Sequence, residues 1–452
     1  MVQRHTHQAK REQWSTKLGF VCAAMGSAVG LGNIWRFPYI VGENGGGAFI
    51  LVYLACVVIC GLPIMLGELV IGRTAQSDAV GSFGKLTSNQ MWSVGGLIGV
   101  LAGFFILSFY SVVAGWALKY LFAAAGGSLW EVDIASYGQF FGAFISEAWE
   151  PLIWQGMMMV ATVIMVARGV NRGLEKWNRI LIPILAILVL VLAGYSMSLD
   201  GAVKGIAFLF SPDWAKLLEP EIYIIALGQA FFTLSIGMAV FVTYGSYLAP
   251  NTRLPISAGA IATGDTVFAV VAGLAIFPAV FAFGLSPSAG PGLSFVVLPE
   301  LFQTMPFGKN IGILFFLLLV FAALTSMASL LEVPVSFFMR VFDQGRLRTT
   351  FIVGLLIYLI GVPSSLGFGV LNDVKWGTKS VIDVVEFFTL NLALPIGGMI
   401  TAFFVGWAWQ DRPSSNVIGF KSRILGALWL WSLRVIAPVT VFCVFLHSLG
   451  LI

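Results

Sequence analysis

GSAVGLGNIWRFPY, residues 26–39, starts as a membrane helix and then abandons the pattern. An apolar run leads into it from Leu18, and Gly30, Gly32, Asn33, Arg36 and Pro38 follow in quick succession. In hydrocarbon each unpaired backbone N–H or C=O costs several kcal/mol, so irregular backbone survives there only against protein or along a cavity. A span that weakens its own helix, and carries an arginine as well, implies that something other than lipid satisfies it.

Composition sets the environment. Of 452 residues, 58% are hydrophobic and 10% charged, and the mean hydropathy is +0.93. Soluble domains run at about 45–50% apolar and about 25% charged, so lipid has to be the solvent here. The polar start MVQRHTHQAKREQW runs straight into an apolar segment, and no cleavable signal is expected. Eleven stretches are long and apolar enough to span: 18–40, 47–72, 93–124, 151–168, 178–198, 221–247, 255–284, 310–342, 347–366, 379–409 and 423–449. With the N-terminus in the cytoplasm, seventeen lysines and arginines fall on that side, and six face the other: Lys119, Lys204, Lys216, Lys309, Lys375 and Lys379. This bias predicts a multi-pass protein with its N-terminus inside and its C-terminus outside. It also accounts for the net charge of +4 without an acidic partner or nucleic acid.

Other chemistries find little support. Cys22, Cys56, Cys60 and Cys443 all lie in apolar spans, where they read as small packing residues. His5, His7 and His447 sit near the chain ends, and no Cys/His group has metal-ligand spacing. Neither a phosphate loop nor a Ser–His–Asp set is present, so no enzyme activity is expected.

The interrupted span has a counterpart. GQAFFTLSIGM, residues 228–238, breaks the sixth span as the opening stretch breaks the first. Breaks in corresponding positions of two five-helix halves, which an odd helix count sets in opposite orientations, point to a transporter site at mid-membrane. An unwound helix exposes N–H groups at one half and carbonyls at the other. The first suit a carboxylate and the second a small cation, with the side chains of Asn33 and Thr233 adding hard oxygens. Taken singly, either motif also reads as a close-packing face of small residues.

With these residues in view, AVGLGNIWRFPY followed by ENGGGAF resembles the first-helix signature of the neurotransmitter:sodium symporters, and GQAFFTLSIG resembles their sixth-helix motif. The likeness extends from about Arg11 to the last span. Trp35, Met238 and Asp265 match a bacterial branch of the family that carries several hydrophobic amino acids. Many relatives have a twelfth helix for which this sequence offers no span. The resemblance implies an all-α membrane protein of the LeuT-type fold, with two inverted five-helix repeats and with helices 1 and 6 unwound. The expected divisions are 1–17 as a cytoplasmic segment, 18–198 and 221–409 as the repeats, and 423–452 as an added eleventh helix and short tail.

It further implies Na⁺-coupled symport of an amino acid through two sodium sites. Ala28, Asn33, Thr233 and Asp265, with the substrate carboxylate, would form the first. The carbonyls of Gly26, Val29 and Ala322 and the hydroxyls of Thr325 and Ser326 would form the second. Ala322, Thr325 and Ser326 do share one helix face by their spacing, although AALTSMAS also suits close packing. Chloride-dependent relatives hold an anion near the first site. Here Ala269 takes the place of a chloride-binding serine, and the expectation is that Asp265 supplies the negative charge instead. A protonated, structural aspartate is the alternative.

Substrate would lie along Ser27, Ala28, Gly30, Leu31, Gly32 and Thr233, with its side chain against Ile106, Tyr110, Phe232, Ser235, Met238, Ser326 and Leu330. Gly30 stands where monoamine carriers have aspartate, which points to a substrate with its own carboxylate. None of the side-chain contacts is charged, and Met238 is adaptable, so aliphatic and aromatic amino acids are expected. Arg36 with Asp383 would gate one side above a lid of Tyr110 and Phe232. Arg11 with Asp343, near Trp14 and Tyr247, would gate the other, though Arg11 also reads as an ordinary positive-inside charge. Glu68 and Glu332 lie inside spans, where a charge costs about 2.5–3.5 kcal/mol on insertion scales. The resemblance implies that Glu68 holds the unwound first helix. Gly173 and Pro183, in GLEKWNRILIP, imply a fifth-helix end able to unwind. An ion channel, a non-transporting sensor and a sodium-independent exchanger are the alternatives, and Thr325 with Ser326 argues against the last.

Overall fold

The computed structural model describes residues 12–286, 290–377 and 379–448, and no β-strand occurs among them. Nine of the described helices are long and apolar enough to cross a membrane: Gly47–Ala75, Gln90–Gly126, Glu150–Ala167, Val170–Met197, Leu254–Ala282, Gly308–Phe342, Arg346–Leu366, Val381–Ala408 and Arg423–Cys443. Another crossing is a bent pair, Lys17–Ala28 and Gly32–Glu43, with 46° between its halves. The expected span 221–247 is likewise two helices, Pro220–Thr233 and Val240–Gly245, parted by residues 234–239. In chain order these fall on the eleven stretches expected from the sequence, and large side chains such as Val58, Leu190 and Phe351 point outward from them. This is a multi-pass, all-α membrane protein.

Both breaks follow from local chemistry. The Thr16 hydroxyl accepts from Gly19 N at 2.9 Å and starts the first span. That helix stops at Ala28 because Val29 turns to extended backbone, and Pro38 then suits the first turn of Phe37–Glu43. In the sixth span Ser235, Gly237 and Ala239 all have positive φ, at 53°, 80° and 59°. Such conformations cost about 1–3 kcal/mol each at non-glycine residues and persist where surrounding structure enforces them. Only glycine fits at 237, since a Cβ there would lie 2.3 Å from Leu394 O.

Several helices break the expected connections. Ala79–Lys85, Tyr137–Ser146, Ala202–Phe210 and Val297–Thr304 lie between spans, each too short to cross. The third and eighth spans form the most extensive pairing, and the first span packs on the fifth and eighth. The eleventh docks on the second through a proline. Pro63 has no N–H to offer Ile59 O, and Ser432 Oγ donates to that carbonyl instead at 2.7 Å. Trp429 Nε1 donates to Pro63 O at 3.0 Å.

Candidate functional site

The two breaks meet around one buried cavity, with ≈ 20 Å³ open to the centre of a water molecule. Its wall contains Ser27, Ala28, Gly30 and Gly32 from the first span and Ile106 and Tyr110 from the third. Phe232, Ser235 and Met238 come from the sixth, and Ser326 and Leu330 from the eighth. These are the expected substrate contacts except Leu31 and Thr233, which stand behind the wall. Leu31 N donates to Tyr110 OH at 2.8 Å, and Thr233 Oγ1 turns away to Tyr53 OH at 3.2 Å.

Hydroxyls and carbonyls tie the wall together. Ser326 Oγ lies 3.2 Å from Gly26 O and 3.1 Å from Ser27 O, donating toward both. Ser235 Oγ donates to Ser27 O at 2.9 Å, so the sixth and eighth spans converge on the end of Lys17–Ala28. The Ser27 hydroxyl is buried without a partner. Thr325 Oγ1 donates to Ala322 O at 2.9 Å. Of the residues expected around a second cation, Gly26 on the first span therefore meets Thr325 and Ser326 on the eighth, where Ala322 accepts from Thr325, and Val29 stands at the end of the helix that carries Gly26.

The residues expected around a first cation also assemble. Asn33, Thr233 and Asp265 are all buried. Asn33 Oδ1 accepts from Gly30 N at 3.2 Å, while its Nδ2 donates to Asp265 Oδ1 at 2.8 Å and to Asp265 O at 3.2 Å. Tyr53 OH donates to Asp265 Oδ2 at 3.3 Å. Two donors thus serve the two carboxylate oxygens, and Asp265 connects the cavity's first-span edge to the second and seventh spans.

Above Phe232 the structure corrects one expectation. Arg36 does not pair with Asp383. Its Nε lies 3.4 Å from Glu386 Oε1, its Nη1 donates to Gln229 Oε1 at 2.5 Å, and its Cζ sits 5.4 Å from the Phe232 ring centre. Asp383 is occupied in a capping box with Ser380 at the start of Val381–Glu386, and Glu386, one turn on, faces Arg36 instead. Gln229 Nε2 also donates to Gly32 O at 2.8 Å, binding the two broken spans directly. Tyr110 and Phe232 are neighbours, their ring centres 6.5 Å apart.

A second correction concerns Glu68. Its Oε1 accepts from Gly237 N at 2.8 Å, so it holds the sixth span's break and not the first's. The reason is packing, because the second span lies against Val240–Gly245. The first span's freed amides are served by Asn33 and Tyr110.

At the N-terminal end, Arg11 lies outside the described residues. Asp343 is exposed and closes the eighth span in a left-handed turn, φ 49°. A different set of charges joins the spans there. Tyr247 OH donates to Glu332 Oε1 at 2.6 Å, Arg346 Nη1 to Glu332 Oε2 at 2.6 Å, and Arg346 Nε lies 3.3 Å from Glu12 Oε1. Trp14 meets Tyr247 as expected, with Trp14 N donating to Tyr247 O at 3.1 Å and its indole N–H to Tyr244 O at 3.0 Å. Gly173 falls in a π-helical turn, Val170–Glu175, and Pro183 inside Lys176–Met197. Tyr53, Gln229 and Glu386 were not anticipated. Gln229 carried a signal, as an uncharged polar residue within a broken span, whereas Tyr53 looks in sequence like any membrane tyrosine.

The Sodium:neurotransmitter symporter family profile matches residues 11–136 and 146–451. The chain is 40% identical over 452 residues to YhdH of Bacillus subtilis (strain 168), described as an uncharacterized sodium-dependent transporter, covering 98% of this chain and 99% of that one. It is 32% identical to an uncharacterized sodium-dependent transporter of Haemophilus influenzae, with the same coverage of 98% and 99%. Among solved structures it resembles MhsT in complex with L-phenylalanine, at 53% identity and a TM-score of 0.92, over 97% of this chain and 100% of that one. A match of this extent, joined to two broken spans around a shared cavity, means that the chain belongs to the sodium:neurotransmitter symporter family and is a membrane transporter, not an enzyme.

Proposed function

We propose that this protein couples Na⁺ entry to the uptake of hydrophobic L-amino acids by alternating access, without a need for chloride. The observation that carries the reading is the cavity wall, which is apolar and hydroxylated with no charged side chain. The carboxylate of Asp265 is not part of that wall and stands behind it, bonded to Asn33 and Tyr53. Backbone polarity at the breaks suits the substrate's amino and carboxylate groups, and the neutral wall selects against acidic and basic side chains. The L-phenylalanine in the MhsT complex supports that preference.

Coupling arises because the substrate carboxylate completes the shell of the first sodium beside Ala28, Asn33, Thr233 and Asp265. Gly26, Val29, Ala322, Thr325 and Ser326 hold the second. Asp265 contributes a fixed negative charge, which removes the need for a chloride ion. Cations of this kind are cargo, so no covalent chemistry is required of any residue. Residues 18–198 and 221–409 act as the inverted repeats, with the N-terminus cytoplasmic and the C-terminus outside. Arg36 and Glu386 gate the outer side. A partly exposed pair is worth about 0–1 kcal/mol, weak enough to open. Trp14, Tyr247, Glu332 and Arg346 close the inner side. Unwinding between Gly173 and Pro183 admits water to the second sodium and starts its release.

Uptake of labelled leucine and tryptophan into proteoliposomes tests the reading. Accumulation of both, driven by an inward Na⁺ gradient and undiminished without chloride, is the expected result. Sodium-independent exchange would remove the cation assignments, and binding without accumulation would identify a sensor.

A further inference from the structure

Where the first span turns toward the fifth, a buried polar atom has no partner. Asn178 is completely buried near the start of the helix Lys176–Met197. Its Nδ2 donates to Leu174 O at 2.8 Å. A backbone carbonyl only accepts, so this bond sets the orientation of the amide and turns Oδ1 away from its own helix. Oδ1 has no hydrogen-bond partner. It is aimed at Gly26, where a Cβ would lie 1.8 Å from Oδ1 and 3.3 Å from Thr325 Cβ. The oxygen therefore faces the seam between the first and eighth spans, beside two of the residues proposed to hold the second sodium.

A buried acceptor left unpaired is destabilising, and side-chain amide oxygens are good ligands for hard cations. The absence of a side chain at Gly26 is what lets the oxygen approach. We propose that Asn178 Oδ1 belongs to the oxygen shell of the second sodium and ties that ion to the fifth span. The inference rests on the second sodium site proposed above. It gives that site a residue from a third span, and it places the ion's grip midway between Gly173 and Pro183. Loss of the ion then frees the same segment whose opening admits water, so release and opening reinforce each other.

Direct binding of radiolabelled sodium to the purified full-length protein tests this, with three variants. Asn178→Leu keeps the branching and number of heavy atoms and removes the oxygen, Asn178→Asp keeps an oxygen in place, and Thr325→Val probes the site independently. The expected result is a rise of about tenfold in the Na⁺ concentration for half-saturation in Asn178→Leu, the effect of one lost polar partner in a buried site. Thr325→Val should show a comparable rise, and Asn178→Asp should bind at or below the wild-type concentration. A wild-type value for Asn178→Leu beside a shifted Thr325→Val would overturn the proposal and leave the amide as a water acceptor. Unchanged binding in Thr325→Val as well would overturn the second sodium site itself. Should Asn178→Leu not fold, weaker binding by Asn178→Asp than by wild type would overturn the proposal.

Discussion

Gly30→Ala is the sharpest test of the cavity. A Cβ at Gly30 would lie 2.2 Å from Ser326 Oγ, 2.7 Å from Tyr110 OH and 3.2 Å from Ser326 Cβ. Both hydroxyls have to move. When Ser326 rotates away it gives up its contacts with Gly26 O and Ser27 O, and when Tyr110 shifts it abandons Leu31 N. At about 1 kcal/mol for each of the two displaced hydroxyl groups, the cost is about 2 kcal/mol. That corresponds to about 30-fold in affinity, before any overpacking strain. The assay is equilibrium binding of labelled leucine at saturating Na⁺ in detergent, with thermal unfolding as a check on integrity. Gly194→Ala is the control, because nothing lies within 4 Å of a Cβ there, and it should bind like wild type. Wild-type leucine affinity in Gly30→Ala would refute the claim that this cavity receives the substrate.

Three further outcomes are expected. Asp265→Ser should make uptake depend on chloride, or abolish it, while wild type remains indifferent; chloride-independent uptake at the wild-type rate in the variant would remove Asp265 from the charge balance. Glu386→Gln should speed substrate dissociation toward the outer side several-fold, and Asp383→Ala, which removes the acceptor for Ser380 from the capping box, should lower the unfolding temperature without that kinetic effect; dissociation rates measured on both variants decide whether Glu386 or Asp383 serves the gate. Pro183→Ala should slow transport more than it weakens Na⁺ binding, and equal losses in the two assays would refute a hinge at that end of the fifth span.

Much of the site was legible because polarity in a membrane span is expensive and so has to mean something. Gly30, Gly32, Asn33, Thr233 and Ser235 interrupt apolar runs, and the cavity forms where those interruptions meet. The spans were legible for the same reason, including the sixth, whose break GQAFFTLSIGM already marked between its two short halves. Short helices such as Tyr137–Ser146 and Ala202–Phe210 were hidden, since they fold against the span ends and are too brief to leave a membrane signature.

What the linear pattern determined by itself was the solvent, the apolar spans and the two breaks, because each depends on residue type and spacing along one segment, whereas the neutral pocket wall was implied by the family resemblance. Which groups meet across segments was decided only in three dimensions. Asp383 and Glu386 lie three residues apart on one helix, and Ser380 claims the first for a cap while the rotation of that helix turns the second toward Arg36. Glu68 serves Gly237 because the second span packs on the second half of the sixth, Val240–Gly245. Asn178 became visible as a free acceptor only once Leu174 O and Gly26 stood on either side of its amide. Each of these choices depends on helix rotation and on competition for hydrogen bonds, and neither quantity is written in the order of the residues.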